Sequence, residues 1–471
     1  MIRRLPRNAM PLIWAVVAGL LPVLVGCGSK PPEQVIFWHV MGGPLGKTLD
    51  SMVADFRHEL PGPAVKAVSM GSYTALSQKL MASVAAGNQP GLAQSYEAWT
   101  SQLLEKDAVK PFSDYFSPAD SAWLDDLFPV MRQECSRQGM LVSLPFNKSV
   151  PVYYYNKDLF RKAGLDPDKF PATWDDFVAA AKELTVDRNG DGVPEQWGTA
   201  FTVGAAWMFQ CLILQNGGDI FSPDGRRVVF DSPEGVEALQ YLVDLLYKHR
   251  VAFLTTGYEH QNDFLSGRVA MIQSSSASLS YMAQQKIPFE LGIAPLPGRK
   301  RRAVVISGTN VIMFRQPDQS LMKRGWEFVR WMMEPASSAR WSAETSYLPV
   351  RRSALDEKAL RDKFARYPGL EAAYRQLDYA YPEPNEVVWN IGRSILDEDG
   401  LQPALKGFKS PAQSLRQAAD KINRQQGEAG GNPWTFLAVG LAALLLAAAL
   451  LVARRHWSRK SSEANTLQEG S

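Results

Sequence analysis

The sequence predicts an α/β fold built as two lobes. Strand and helix patterns alternate along the chain, and about 400 residues lie between two apolar terminal segments. This length exceeds what a single hydrophobic core usually organises, so we expect two cores. A hydrophobic content of 46% and an aromatic content of 10% are typical of a folded globular body.

The first part of the folded body has a βαβαβ pattern. Three short apolar strands are expected between residues 35 and 95, and apolar residues at helical spacing fill both gaps. Right-handed crossovers make such a sheet parallel, and its ligands lie at the carboxyl ends of the strands. His39, Tyr73 and Glu97 fall at those ends, which makes them candidate ligand contacts.

A second α/β stretch begins near 150–154. A capping box at Thr173 predicts a helix over 174–184, and the pair Ser232 and Pro233 predicts another helix start. Further strand and helix patterns continue to about residue 335. Two lobes with crossing connections fit this order of elements.

The N-terminus carries an export pattern. Basic residues precede an apolar run at 11–25, which is shorter than the about 20 residues of a membrane span. The segment Leu24–Cys27 is similar to a bacterial lipobox, so residues 1–26 are expected to be a signal peptide and Cys27 a lipidated first residue. An ordinary signal or anchor in which Cys27 is incidental is the alternative.

The C-terminus carries a second anchor pattern. Residues 434–453 lack charges, and at about 1.5 Å per residue they match the roughly 30 Å hydrocarbon core. Basic residues follow, so the tail 454–471 is expected in the cytoplasm. Glycines in 426–433 predict a linker, which argues against the alternative of a buried core helix. The folded body is therefore expected on the extracytoplasmic face of the cytoplasmic membrane.

Composition excludes several classes of function. A formal net charge of +3 with no basic cluster among aromatic residues gives no case for nucleic acid. The five histidines lack zinc-ligand spacing, and no nucleophile elbow or phosphate-cradling loop occurs, so an enzyme is not expected. A phosphodiesterase or glycosidase stays an alternative, since paired acids need no motif. Cys135 and Cys211 either pair or are separate buried thiols.

One acidic loop resembles the first nine residues of a calcium-binding loop. Asp187, Asn189, Asp191 and Glu195 place oxygen ligands at alternate positions around glycines. Position twelve is Gly198 rather than glutamate. The loop therefore predicts either a structural calcium ion or a plain acidic turn, and no other cofactor is expected.

A series of short motifs resembles one family of transport proteins. The motifs are Phe37–Lys47, Gly71–Tyr73, Tyr96–Glu97, Pro145–Ser149, Tyr154–Asp158, Lys162–Pro167, Ala270–Ser276, Ser307–Gly308, Tyr347–Pro349 and Arg393. In order and spacing they are similar to extracellular solute-binding protein family 1 of ABC importers, most of all its glycerol-3-phosphate-binding branch. The similarity runs from about Val35 to about Ala419.

The resemblance implies a hinge-closing fold of the maltose-binding-protein-like type II class. It implies a solute-binding domain over 27–425. Its N-lobe would comprise about 34–147 and 268–340, and its C-lobe about 148–267 and 341–425.

The resemblance also implies a ligand site. The matching ligand positions are Tyr73, Glu97, Ser149, Ser275, Gly308, Tyr347 and Arg393. A guanidinium such as that of Arg393 binds phosphate oxygens bidentately, whereas a carboxylate such as Glu97 suits glycerol hydroxyls. Trp207 and Trp38 are candidate aromatic contacts. Arg393 pairing with Asp397 on a helix surface is the structural alternative.

Two departures from the family pattern affect this site. Gly42 replaces an expected acidic residue, and Lys148 stands where a small residue is usual. A lysine facing the cleft would strengthen anion binding, while both changes could enlarge the site for a diester.

The implied function is delivery of a small ligand. The protein would bind glycerol 3-phosphate or a glycerophosphodiester and pass it, as a monomer, to the permease and ATPase subunits of an ABC importer. A sugar- or oligosaccharide-binding protein of the same transporter class is one alternative. A membrane-tethered ligand sensor is another.

Overall fold

The computed structural model of the chain describes residues 34–429. The predicted signal peptide with Cys27, the apolar segment 434–453 and the tail 454–471 lie outside the described residues. Within the described range the chain forms two mixed β-sheets, each surrounded by its own helices. The two-lobed α/β class is therefore confirmed.

Strands and helices alternate along most of the chain. The strands are β1 (Gln34–His39), β2 (Ala64–Ser69), β3 (Leu92–Ser95), β4 (Val109–Lys110), β5 (Ser136–Arg137), β6 (Met140–Leu141), β7 (Leu144–Pro145), β8 (Pro151–Asn156), β9 (Trp197–Thr202), β10 (Ala252–Thr255), β11 (Val269–Ser275), β12 (Leu291–Ala294), β13 (Val304–Val305), β14 (Asn310–Phe314) and β15 (Ala380–Tyr381). The α-helices are α1 (Gly43–Glu59), α2 (Tyr73–Ala85), α3 (Glu97–Leu104), α4 (Ser121–Asp125), α5 (Pro129–Glu134), α6 (Lys157–Lys162), α7 (Trp174–Glu183), α8 (Ala206–Gln215), α9 (Pro233–Tyr247), α10 (Glu259–Leu265), α11 (Ser278–Gln284), α12 (Gln319–Met332), α13 (Pro335–Thr345), α14 (Lys358–Arg366), α15 (Leu370–Tyr374), α16 (Trp389–Ile395), α17 (Gln402–Leu405) and α18 (Pro411–Ala429). A π-helical turn, Leu396–Leu401, joins α16 to α17.

The first sheet has the strand order β2-β1-β3-β14-β4, and β7 also pairs with β14. Strand β1 is parallel to both β2 and β3, so the predicted parallel βαβαβ unit is confirmed. The later strand β14 adds in the antiparallel direction. Helix α1 buries Leu49, Met52 and Phe56 against this lobe's core. The segments after β1, β2 and β3 therefore emerge at one edge of the sheet.

The second sheet has the strand order β10-β9-β11-β8-β12. Strands β10, β9 and β11 are parallel, whereas β8 is antiparallel to β11 and to β12. Its core buries Phe160, Phe177 and Met271. This lobe thus also directs the ends of several parallel strands to one edge.

Side-chain caps fix where several helices begin. Ser72 Oγ accepts a hydrogen bond from the Ala75 amide at the start of α2, and Thr173 Oγ1 accepts one from Asp176 at the start of α7. Ser232 caps α9 in the same way. Each cap satisfies an amide that the helix itself cannot bond, so the predicted helix starts at Thr173 and Ser232 are confirmed.

Two crossing segments connect the lobes side by side. Residues 147–149 lead from β7 to β8, and residues 307–309 lead back to β14. The Ser149 amide donates to the Ser307 oxygen at 2.8 Å, and the Ser307 amide donates to the Ser149 oxygen at 3.0 Å. This short antiparallel bridge forms the root of the cleft between the lobes.

The predicted lobe boundaries at residues 268 and 341 are wrong. Strands β11 and β12 belong to the second sheet, because both pair with β8. The chain returns to the first lobe only at 307–309, and α13 packs against α1. It returns to the second lobe near residue 370, where α15 contacts β12. Apolar strand patterns show that a strand is buried but not which sheet it joins.

The predicted linker 426–433 needs a similar correction. Helix α18 continues to Ala429, so the first four residues of that segment are helical. A single glycine costs a helix only about 1 kcal/mol, and Gly427 does not end this one. Within residues 34–429 no helix has the length and apolar character of a membrane span.

Candidate ligand-binding site

A cleft of about 840 Å³ opens between the lobes, beside the crossing segments. Its lining comes from both lobes and from the crossing segments themselves. Seven of the ten predicted ligand-binding residues line it, namely Tyr73, Ser149, Trp207, Ser275, Gly308, Tyr347 and Arg393. The other three, Glu97, Trp38 and His39, lie elsewhere.

Tyrosines form the first-lobe wall of the cleft. Tyr73 is the first residue of α2, and its hydroxyl accepts a hydrogen bond from Asn147 Nδ2 at 2.9 Å. Tyr96 packs against Tyr73 with ring centroids 5.1 Å apart. Tyr347 stacks on Trp341 with an angle of 6° between the ring planes. Burial raises the pKa of both Tyr73 and Tyr347, so their hydroxyls stay protonated and can donate to a ligand.

The floor of the cleft is backbone that requires a glycine. Gly308 has φ +122°, a backbone conformation that residues with a Cβ atom rarely adopt. A Cβ atom at this position would lie 2.1 Å from the Asn147 oxygen. Gly308 therefore allows the two crossing segments to approach closely, and it exposes backbone to the cleft.

Arg393 projects into the cleft from α16 in the second lobe. Its Nη1 donates to Glu383 Oε1 at 2.7 Å, and Glu383 Oε2 accepts a hydrogen bond from Ser307 Oγ at 2.6 Å. The Glu383 side chain is 3% exposed, whereas the Arg393 side chain is 34% exposed. Burial acts to lower the pKa of Arg393, but Glu383 together with Tyr96, Asp397 and Glu97 outweighs it, so this pKa is raised. The guanidinium is thus held from behind with one side open to the cleft.

Arg393 does not pair with Asp397, which was the structural alternative; it bonds Glu383 instead. Asp397 Oδ1 accepts from the Ala206 amide at 2.6 Å, at the N-terminus of α8. Burial raises the Asp397 pKa to about 6. Asp397 therefore links the arginine-bearing helix region to the helix that carries Trp207.

The remaining second-lobe contacts are aromatic and hydroxyl groups. Trp207 Nε1 donates to the Val305 oxygen at 2.8 Å, which orients the indole in the cleft wall. Ser275, at the end of β11, accepts through Oγ from the Ala277 amide at 3.2 Å. Gln261 donates to Ser274 Oγ at 3.0 Å. Together they present a neutral polar surface opposite the tyrosines.

Glu97 and Lys148 do not face the cleft as predicted. Glu97 is only 1% exposed, and its Oε1 lies 2.6 Å from Lys148 Nζ. Lys148 is itself fully buried. The prediction that Glu97 orients the ligand and the expectation of a cleft-facing lysine are therefore both corrected. The ammonium and the carboxylate satisfy one another inside the first lobe.

Trp38 and His39 also lie outside the cleft. Trp38 packs on a first-lobe apolar cluster with Leu76 and Leu80. His39 is 3% exposed, and its Nδ1 accepts a hydrogen bond from the Met41 amide at 3.0 Å. Burial lowers the pKa of His39. Both residues are structural because the side chains of a strand alternate between its two covered faces.

Sequence reasoning missed several residues of the cleft. Tyr96 and Asn147 both line it, although only their neighbours Glu97 and Ser149 were assigned to the ligand. Tyr258 also lines the cleft and is 74% exposed. Its loop carried no recognisable motif, so no signal pointed to it. Glu383, which orients Arg393, likewise had none.

The acidic loop holds its oxygen atoms on its own backbone. Asp187 accepts from the Gly190 and Gly192 amides, and Asp191 accepts from the Val193 amide. Glu195 accepts from the Arg188 amide, and Asn189 from that of Asp191. Among residues 34–429 no three His, Cys, Asp or Glu side chains form a group that could hold a metal ion. The calcium site stays a prediction.

Cys135 and Cys211 are both free and buried. Burial raises the pKa of each thiol to about 12. They are separate buried thiols rather than a disulfide.

Two lobes joined by paired crossing segments around a polar cleft define a two-lobed solute-binding protein. The family model described as Bacterial extracellular solute-binding protein matches residues 51–372. This match spans more than half of the chain, and the chain belongs to that family. Its members are substrate-binding transport proteins that bind small molecules and work with the permease and ATPase subunits of ABC importers.

Individual relatives cover nearly the whole chain. The sn-glycerol-3-phosphate-binding periplasmic protein UgpB of Escherichia coli strain K12 is 29% identical over 88% of this chain and 97% of its own length. The cyclic alpha-maltosyl-1,6-maltose binding protein of Arthrobacter globiformis has a TM-score of 0.71 and 26% identity, over 84% of this chain and 99% of its own. UgpB of Mycobacterium tuberculosis, in complex with glycerophosphocholine, has a TM-score of 0.73 and 20% identity, over 86% of this chain and 100% of its own. These similarities confirm the maltose-binding-protein-like fold.

Proposed function

We propose that the protein is the extracytoplasmic substrate-binding component of an ABC importer and that its cleft takes glycerol 3-phosphate or a glycerophosphodiester. Arg393 carries the choice of ligand. Of the described residues that line the cleft, it is the only lysine or arginine, and none is an aspartate or glutamate. A cleft surface with one cation and no carboxylate favours an anionic ligand.

The geometry of Arg393 suits a phosphate group. Glu383 accepts a hydrogen bond from Nη1 of the guanidinium, while the exposed part keeps donors for a bidentate contact. Hydroxyl groups of Tyr73, Tyr347 and Ser149 lie around the same cleft. They supply neutral donors and acceptors for the remaining oxygens of a phosphorylated polyol.

The names of the relatives support the same ligand class. The Escherichia coli relative is a glycerol-3-phosphate-binding protein, and the Mycobacterium tuberculosis relative holds glycerophosphocholine in its crystal structure. At about 840 Å³ the cleft lies near the upper end of the roughly 300–1,000 Å³ typical of small-molecule sites. A cleft of this size suits a diester better than glycerol 3-phosphate. To hold glycerol 3-phosphate tightly, the lobes would have to close further around it.

A sugar or oligosaccharide is the second candidate ligand. Trp207, Tyr73, Tyr258 and Tyr347 all line the cleft, and aromatic faces pack well against sugar rings. The Arthrobacter globiformis structure is that of a binding protein for a cyclic maltosyl-maltose. This observation leaves the transport role unchanged and concerns only the ligand.

Binding by both lobes provides the mechanism of delivery. Tyr73 and Tyr347 belong to the first lobe, and Trp207 and Arg393 to the second. A ligand that contacts both walls stabilises the closed arrangement over the open one, since it binds the two arrangements unequally. The closed form then docks on the permease.

The terminal patterns support attachment to the membrane by a lipid on Cys27 and by the segment 434–453. Two anchors would keep the protein at a high effective concentration near its importer. Radiolabelled palmitate incorporation tests the first anchor, with Cys27→Ala as the unlabelled control. Carbonate extraction of Cys27→Ala tests the second, because only an integral segment would keep this variant in the membrane pellet.

Calorimetric titration of the full chain in a mild detergent tests the ligand. Micromolar binding of glycerol 3-phosphate or glycerophosphocholine, about −8 kcal/mol, without heat from maltose would support the proposal. Binding of maltose alone would move the protein to the sugar branch. Heat from none of the three would reject the proposed ligand class.

A further inference from the structure

A fully buried charged cluster lies behind the first-lobe wall of the cleft. Lys148 Nζ lies 2.6 Å from Glu97 Oε1 and pairs with Glu134 Oε1 as well. It also donates to the Gly308 oxygen at 2.8 Å. Asn310 Nδ2 donates to Glu97 at 3.1 Å and to Glu134 at 3.2 Å. The cluster therefore joins α3, α5, both crossing segments and β14.

The two carboxyl groups of the cluster differ in how readily they ionise. Burial acts to raise the pKa of Glu97, but the Lys148 ammonium and the hydrogen bonds from Lys148 and Glu134 together outweigh it and lower this pKa below its ordinary value. Burial and the Glu97 charge raise the pKa of Glu134 well above its ordinary value. These opposite directions favour a charged Glu97 beside Lys148 and a proton on Glu134.

The charge on Glu97 reaches the cleft even though its side chain does not. It contributes to the raised pKa of Arg393 and to that of Tyr96, both of which line the cleft. An uncompensated carboxylate at this place would oppose the attraction of Arg393 for an anion.

We propose that Lys148 determines the charge selectivity of the cleft by holding the Glu97 carboxylate inside the first lobe and offsetting its charge. The inference rests on the proposed function, because it concerns the same anion in the same cleft. Lys148 does not touch the ligand. It is a specificity-determining residue that acts through Glu97, and it leaves Arg393 unopposed on the cleft surface.

A purely structural lysine would behave differently from this one. Its loss would lower stability and weaken every ligand alike, with no dependence on the charge of Glu97. Loss of a charge-setting lysine instead weakens anions selectively, and the loss disappears when Glu97 is made neutral. The two roles are therefore separable by a second substitution.

The test uses the full chain in detergent and sn-glycerol 3-phosphate as the probe. Lys148→Ala should weaken binding on the order of tenfold at pH 7.5, as expected for one charge acting across a partly wet interior. The double variant Lys148→Ala/Glu97→Gln should regain most of the affinity. In Lys148→Ala the Glu97 carboxylate has lost its cation, and acid protonates it. The affinity of this variant divided by that of the unmodified protein should therefore approach one as the pH falls toward 5.

The groups that face Glu97 define what else titrates in this test. They are Lys148 and Glu134 in the cluster, with Arg137 and Cys135 beside it and with Tyr96 and Arg393 at the cleft wall. All are present in the unmodified protein and in both variants except for the replaced side chains. The affinity ratio therefore isolates the pair formed by Lys148 and Glu97.

Outcomes separate this inference from the proposed function. If the unmodified protein binds neither glycerol 3-phosphate nor glycerophosphocholine, the proposed function and the inference are overturned together; if it binds glycerophosphocholine alone, that diester is the probe for the variants. Binding that Lys148→Ala leaves unchanged, or that Glu97→Gln does not restore, would overturn the role of Lys148 alone. If Lys148→Ala does not fold, the double variant Lys148→Gln/Glu134→Gln replaces it, because its amide groups can donate to a charged Glu97. This double variant must then show the weaker glycerol 3-phosphate binding and the pH trend expected for Lys148→Ala.

Discussion

Two ion pairs lie near the root of the cleft, Lys148 with Glu97 and Arg393 with Glu383. They differ in how many hydrogen-bond donors of the cation remain free for a ligand. The Lys148 ammonium has three donors, and Glu97, Glu134 and the Gly308 oxygen occupy them. The Arg393 guanidinium has five donors, and among residues 34–429 its hydrogen-bond partner is Glu383 alone. Both cations are held by a buried carboxylate, yet only Arg393 retains donors for a ligand.

The difference shows that charge near a cleft does not by itself create a binding group. The lysine side chain is 0% exposed and the arginine side chain 34% exposed, although Lys148 lies in one crossing segment and the Glu383 partner of Arg393 bonds Ser307 in the other. In the proposed site, the buried pair of Lys148 and Glu97 controls the charge near the cleft, whereas Arg393 of the open pair contacts the ligand. Substitutions that interrupt one pair at a time should therefore have different signatures.

The largest effect is expected on stability when the buried pair is broken. Lys148→Met keeps the length of the side chain but leaves the Glu97 carboxylate without its cation. Removing one partner of a buried ion pair costs about 3–5 kcal/mol, so the free energy of unfolding should fall by that amount. Chemical denaturation of the full chain measures it, with Lys169→Met as the control because the Lys169 side chain is 84% exposed. A loss below about 1 kcal/mol would contradict a charged, buried pair.

Breaking the open pair should affect the ligand more than the fold. Among the described residues, Arg393 is the only arginine that lines the cleft, and Arg393→Ala should weaken glycerol 3-phosphate binding about 100-fold, within the range for loss of a hydrogen-bonded charge partner. Binding of an uncharged sugar should change little. Titration calorimetry measures both, and Arg226→Ala serves as the control since that side chain is 86% exposed. Equal losses for the two ligands would argue against phosphate at Arg393.

Much of the open site could be predicted from the sequence, because its residues sit in locally determined positions. Tyr73 starts a helix that Ser72 caps, and Gly308 occupies a backbone conformation that only glycine adopts easily. Arg393 lies on a helix of its own lobe. The strand-end rule pointed to Tyr73, whereas Gly308 and Arg393 followed from the resemblance of the ordered motifs to a solute-binding family.

The buried pair was beyond sequence reasoning, since it depends on contacts between distant segments. Glu97 and Lys148 are 51 residues apart, and Glu134 comes from a third element. The same limit explains the wrong lobe boundaries, because Ser275 at the end of β11 is 121 residues from Tyr154 of β8, whose hydroxyl donates a hydrogen bond to its oxygen. A single sequence shows which residues are apolar or charged but not which distant partner neutralises them.

Asp397 provides a smaller test next to the open pair. Its pKa in the folded protein is raised by burial from 3.8 to about 6. Between these values the unfolded chain loses the proton first, so the free energy of unfolding should fall as the pH rises from 4 to 6. Asp397→Asn should remove this slope and raise stability at pH 7 by no more than about 3 kcal/mol. Denaturation at several pH values measures it, and an unchanged slope would mean that another group titrates there.

The smallest effect is expected at Glu134, where the buried cluster keeps its extra proton. Because burial and Glu97 raise the Glu134 pKa well above its ordinary value, we expect this carboxyl to keep its proton near pH 7. Glu134→Gln replaces one neutral group with another of the same shape and should change the free energy of unfolding by less than about 1 kcal/mol. Chemical denaturation at pH 7 gives the value, beside Lys148→Met measured in the same way. A loss as large as that of Lys148→Met would mean that Glu134 is ionised, so that Lys148 shares its charge between two carboxylates and offsets Glu97 only in part.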